Sequence, residues 1–191
     1  MNLIKQFLVA HHIEGSNHKD LIAVAQAVAR IPWGEGRTIE EVLETKKVGT
    51  CTGKHLVLQT CLEHLKIEHR ITVCTFHWSE QGIALPKNLQ EILEEGEWEH
   101  GHNFLQVRSD KGEWIDLDIT WDPPLKLYGF RTFPEDWDGQ TSFISLSKII
   151  ERIDGADITM KQQWLAKLSP EMQERRRQFL KELFEWVVTL H

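Results

Sequence analysis

Hydrophobic spacing along the chain changes from helical to strand-like and back again. In "HKDLIAVAQAVARIPW" apolar residues recur at helical spacing until Ile31-Pro32, where proline disfavours helix for the residue before it. "TIEEVLETKK" predicts a short helix with Thr38 as N-cap and Glu41 completing a capping box. A longer apolar helix follows over about 51 to 66, and the β-branched run from Ile71 to Thr75 reads as a strand. Residues 77 to 101 interrupt the sheet pattern with Gly82, Pro86, the helix-like "NLQEILEEG" and an acidic patch. Because this excursion runs directly into His102, it is expected to wall or cover any site there, its glutamates disfavouring acidic substrates. "SPEM" opens a C-terminal helix with Ser169 as N-cap and Pro170 at the first helical position. Its stripe of Met172, Phe179, Leu183, Phe184 and Val187 reads as core packing, and Arg175-Arg176-Arg177 as its solvated face.

"HNFLQVR" and "EWIDLDITW" are two strands separated by the turn residues Ser109-Asp110-Lys111-Gly112. A three-residue loop with Gly112 in the left-handed position pairs Ser109 with Glu113, and so Phe104 with Asp118 and His102 with Thr120. Leu105, Val107, Ile115, Leu117 and Ile119 then share a core face. His102, Phe104, Gln106, Trp114, Asp116 and Asp118 share the other, with His102 and Asp118 as diagonal neighbours whose backbones lie about 7–8 Å apart. Taken alone, such a polar face is solvated, and His102 or Asp118 is replaceable without unfolding the chain.

A length of 191 residues suits one domain over 1–191, with core motifs at 38–122 and a C-terminal helical extension over about 145–191. The net charge of -7 argues against nucleic acid as a partner. Cysteines at 51, 61 and 74 cannot pair completely and include no close CxxC pair, which fits a reducing, cytoplasmic setting. The opening "MNLIKQFLVAHHIEG" lacks the long apolar region of a signal peptide, and no stretch approaches the roughly 20 apolar residues of a membrane span, so no membrane partner is expected. His11-His12 and His100-x-His102 lack further ligands at recognisable spacing; neither a metal nor a cofactor is expected.

Cys51 sits between Gly49 and Gly53 at the start of the apolar helix. Unpaired N–H groups at a helix N-terminus favour thiolate, and the two glycines leave room for a substrate to approach. A thiolate, a histidine and an orienting carboxylate are the parts required for nucleophilic acyl transfer, and they occur here in that chain order. His55, one helical turn on, is a weaker rival base because little space separates side chains at i and i+4. Asp116, on the same hairpin face, competes with Asp118 as the orienting acid. Cys61 and Cys74 read as buried and inert.

Residues 38 to 122 resemble the transglutaminase-like superfamily of papain-fold cysteine enzymes, and more distantly the arylamine N-acetyltransferases. The resemblance lies in "TIEEVLETKKVGTCTGKHLVLQTCLEHLKIEHRI", in the His-x-aromatic strand of "HNFLQV", and in "EWIDLDIT", which is similar to that family's Trp-x-x-Leu-Asp-Pro-Thr strand. It implies an α+β papain-like fold, with the nucleophile helix packed on an antiparallel β-sheet and additional N- and C-terminal helices. It also implies Cys51 as nucleophile, His102 as general base and acid, and Asp118 as orienting carboxylate. Ile119 stands where the family usually has proline, Gln106 where it often has glutamate, and Lys66 and Glu68 where a Gly-Ile-Pro turn is common. The Cys51 N–H is the candidate oxyanion donor, and Trp33, Trp98, Phe104 and Trp114 are the expected substrate-binding aromatics. The function this implies is cysteine-dependent hydrolysis of an amide or peptide bond in a protein, peptide or small acyl substrate. The alternatives are transfer to an amine and a non-catalytic protein-binding module.

Overall fold

The structure, a computed structural model, describes residues 2–157 and 159–191. It is a mixed α+β arrangement around one four-stranded antiparallel sheet in the order β3-β2-β1-β4. The helices are α1 (Leu3–Ala10), α2 (His18–Ala29), α3 (Cys51–Leu65), α4 (Lys87–Glu94), α5 (Thr159–Ala166) and α6 (Pro170–Val188); the strands are β1 (His69–Phe76), β2 (His100–Arg108), β3 (Trp114–Leu117) and β4 (Arg152–Asp154). Among the described residues no helix is long and apolar enough to cross a membrane. All three cysteines are free.

The hairpin has the register its turn predicts. Leu105 faces Leu117, Val107 faces Ile115, Ser109 N–H donates to Glu113 O, and Gly112 takes a φ of 77°. Strand alternation then splits the interior into two clusters. Leu105, Val107, Ile115, Leu117 and Ile119 pack with α1, α2 and α3. Phe104, with Phe76 and Trp78, packs instead with Leu89 of α4 and with Phe179, Leu183 and Val187 of α6.

The second face is therefore not solvated: Phe104, His102 and Asp118 are all buried. The chain returns across it before α5. Arg152 on β4 lies over the Phe104 ring, and Phe143 exchanges backbone hydrogen bonds with Asp116 and Asp118. The expected C-terminal helical extension thus begins as extended chain that includes a fourth strand. All three residues of β4 are exposed and carry no alternating pattern, so nothing in their sequence marks a strand.

The capping box forms as read, with Glu41 N–H donating to Thr38 Oγ1 and Thr38 N–H to a Glu41 carboxylate oxygen, although the turn it opens is a single wide π-type turn, Glu41–Thr45. On α6, Met172 is part of no core, and Phe184 lies only against the edge of the second cluster.

Candidate functional site

Thr50 fixes the start of α3. Its Oγ1 accepts from Gly53 N–H at 3.1 Å, its hydroxyl donates to Gly36 O at 3.1 Å, and its own N–H donates to the same carbonyl at 2.8 Å. The flanking glycines do something other than admit substrate. A Cβ at Gly53 would lie 2.2 Å from Gly36 O, and one at Gly49 would lie 2.8 Å from Lys54 Cγ. The absent side chain at Gly53 lets Gly36 pack against the helix start, and the one at Gly49 leaves room for the Lys54 stem and Val42. Gly34 N–H donates to Gly49 O and Gly49 N–H to Pro32 O, which holds Trp33 beside the cysteine.

His102 Nε2 donates to Asp118 Oδ2 at 2.8 Å, and the ring lies near enough to Cys51 for each to favour the other's charged form. Asp118 accepts further from Ser145 N–H at 3.0 Å and Ser145 Oγ at 2.5 Å, and its second oxygen accepts from Thr120 Oγ1 at 2.6 Å. Burial alone would push this carboxyl up. The charge and hydrogen bond of His102, with His55 and Ser145, hold it well below the usual carboxylate range instead. Burial likewise opposes charge on His102, but Asp118 and the thiolate raise it to about 9. Cys51 follows the same logic: burial raises it, while the Lys161 ammonium and His102 bring it down to about 5. In all three residues burial opposes the charged form and the neighbouring charges favour it.

The rival assignments separate cleanly. His55 Nδ1 donates to Cys51 O at 2.7 Å and its Nε2 accepts from Ile119 N–H at 3.2 Å, so the ring is a neutral strut, its pKa lowered to about 4 chiefly by burial. That contact accounts for Ile119, since a proline there has no N–H to donate. Asp116 accepts from Gln106 Nε2 and two Arg152 nitrogens, away from His102. Burial pushes the Cys61 thiol up to about 12 and raises Cys74 further, in keeping with inert cysteines.

Cys51 is half-buried at the floor of a cleft of about 240 Å³. Of the four expected aromatics, Trp33 lines it. Phe104 and Trp98 are instead buried in the second cluster, and Trp114 is held between the guanidinium groups of Arg70 and Arg108. The aromatic lining comes from Phe76, Trp78, Trp121 and Phe184. Trp78 and His100 make the 77–101 excursion a wall, as expected, but its glutamates are elsewhere: α4 packs on α6, Glu97 bonds Ser79, and among the described residues no carboxylate lines the cleft. Hydrophobic spacing cannot foretell which residues of an excursion turn inward.

One contact has no counterpart in the sequence reading. Lys161 Nζ on α5 lies 3.3 Å from Cys51 Sγ, held by Thr52 Oγ1 at 3.0 Å and Asn103 Oδ1 at 3.2 Å. A lysine in an amphiphilic stretch so far along the chain carries no local signal. Arg176 is a second surprise, because it lines the cleft although it was expected on a solvated helix face.

No protein-family model matches this chain, and no curated protein does. Among solved structures it is similar to one described as a crystal structure of a TGase, at 16% identity and a TM-score of 0.43. The match covers 62% of this chain and 31% of that one, so the chain spans about a third of that protein's length.

Proposed function

We propose that this chain is a cysteine-dependent acyl-transfer enzyme on a papain-like, transglutaminase-like fold, hydrolysing an amide or peptide bond. The observation that carries the reading is that half-buried Cys51, beside buried His102 and its hydrogen-bonded Asp118, lies in an open cleft. The Cys51 thiolate attacks the substrate carbonyl carbon, and the oxyanion that forms faces the Cys51 N–H, which as the first N–H of α3 has no intrahelical acceptor. The His102 imidazolium gives its proton to the leaving nitrogen as the C–N bond breaks. It then takes a proton from the water that attacks the thioester; the C–S bond breaks, the free acid leaves, and the thiolate–imidazolium pair is restored. Asp118, accepting from His102 throughout, keeps the ring oriented and stabilises its charged form.

Transfer to an amine is favoured by one observation: an alkylammonium, that of Lys161, already sits 3.3 Å from Sγ, so the space beside the thiol accommodates one. The test is the fate of an acyl group trapped on Cys51. Release as free acid at a rate unchanged by primary amines supports a hydrolase, whereas acceleration with amide product supports a transferase. An accessible thiol in a folded protein that never acylates would replace both with a binding module.

A further inference from the structure

The protein is acidic overall, yet among the described residues the cleft is lined by Arg37, Lys161 and Arg176 and by no Asp or Glu. Lys161 has acceptors, but among the described residues neither arginine side chain does. Arg175 and Arg177, on either side of Arg176, pair with Glu171 and Glu174, while the Arg176 guanidinium has no ion pair among the described residues and its buried Nε has no hydrogen-bond partner. Arg37, exposed at the rim, has no side-chain partner among the described residues either, and lies close enough for the two like charges to oppose each other. Such a pair persists more readily where an anion bridges it.

Buried donors point the same way. His100 Nδ1 accepts from Trp78 Nε1 at 3.0 Å, so the ring hydrogen is on Nε2, and Nε2 is buried with no partner. Trp121 Nε1 is also a buried, unpartnered donor. Both residues line the cleft. Every unsatisfied buried polar atom on its walls therefore belongs to a donor or a cation, and buried donors are ordinarily paired. The complementary occupant is a group that only accepts. Trp33 and Phe184, stacked with centroids 4.9 Å apart, offer an apolar bed for the carbon chain that carries it.

We infer that the cleft takes an acyl donor bearing an anionic group, carboxylate or phosphate, seated at Arg37 and Arg176 beside the His100 and Trp121 donors, with its reactive carbonyl at Cys51. The inference rests on the reading of Cys51 as nucleophile, and it reverses the expectation that acidic substrates are disfavoured. The test uses aryl thioesters of butyrate, of succinate and of phosphonopropionate, which differ only in the terminal group. In each, the Cys51 S–C bond forms as the C–S bond to the aryl thiolate breaks, and the thiolate leaves with the electron pair. Loading is followed by intact-protein mass spectrometry.

Wild type is expected to load one or both anionic donors at least ~10-fold faster than butyrate, and Arg37→Gln or Arg176→Gln to bring that ratio close to one. Because the ratio is taken within each variant, a general loss of activity does not imitate the result. Which anion loads faster identifies the carboxylate or phosphate source. Equal loading of all three, a ratio that survives both arginine variants, or a ratio lost only in Lys161→Gln would overturn the inference while leaving the nucleophile intact. If nothing loads, calorimetry of Cys51→Ala with succinate and with phosphate decides. Binding that disappears on adding Arg176→Gln keeps the anion site and ends the acyl-enzyme reading, and no binding ends both.

Discussion

The charged form of Cys51 is favoured chiefly by the Lys161 ammonium and then by His102, and that of His102 chiefly by Asp118 and then by Cys51. Cys51 lies below its ordinary value of 9.0, so its thiolate stabilises the fold and is lost as pH falls through about 5. His102 lies above 6.5, so its charge is lost as pH rises through about 9. The pair is whole between those values. Alkylation of Cys51 by iodoacetamide should accordingly be nearly flat from about pH 6 to 8 and fall toward 5, with Cys61 and Cys74 unlabelled in the folded protein. Lys161→Met should move the fall to higher pH, because the ammonium 3.3 Å away is gone. A profile that rises steadily toward pH 9, like that of a free thiol, would remove the basis for an activated nucleophile. Asp118→Asn belongs at the same scale. The position is buried and accepts from His102, Ser145 and Thr120, so an amide would confront donors with a donor. Denaturant titration should show a loss of about 1–3 kcal/mol, where a solvated polar face would give almost none.

Among the elements, α3 depends on a cap and on a missing side chain. Thr50→Ala removes both the acceptor for Gly53 N–H and the donor to Gly36 O, and should cost about 1 kcal/mol. Gly53→Ala should cost more, because its methyl would meet the Gly36 carbonyl, which is backbone and cannot swing away. If Gly53→Ala proves the milder of the two in urea titrations, the packing of residues 33–36 on α3 is misjudged. What was legible beforehand follows from the same local chemistry. The hairpin register was fixed by its turn, so Gly112 and the alternation around it were enough to bring His102 and Asp118 together. Thr38 and Ser169 were readable as capping residues, whereas Thr50, which caps α3, is shown by the structure. Lys161, Ser145, β4 and the inward turn of Arg176 were not, because each is decided by contacts between segments far apart in the chain. Trp98, Phe104 and Trp114 show the limit from the other side. Nearness in sequence to a site residue suggested a cleft, whereas strand alternation and the Arg70–Trp114–Arg108 stack send them into core or surface.

At the scale of the whole molecule, the sheet separates two hydrophobic clusters and the candidate site lies where they meet. His102 emerges from β2 on the Phe104 side, beneath walls built by α5 and α6, while Cys51 begins the helix that covers the Leu117 side. The site keeps its geometry only while both clusters are packed. Leu117 and Phe179, each fully buried, report on one cluster apiece. Leu117→Ala should cost about 2–5 kcal/mol and Phe179→Ala about 3–5 kcal/mol. If the clusters melt together as one domain, each variant unfolds in a single transition at which tryptophan fluorescence and far-ultraviolet circular dichroism coincide. The double variant then loses the sum of the single losses to within about 0.5 kcal/mol, because the two side chains share no cluster. An early transition confined to Phe179→Ala, seen by fluorescence before the circular dichroism changes, would mean that the C-terminal layer unfolds by itself. The cleft would then open by local unfolding of α5 and α6, and Cys51 alkylation in that variant should depart from its flat profile at the same denaturant concentration.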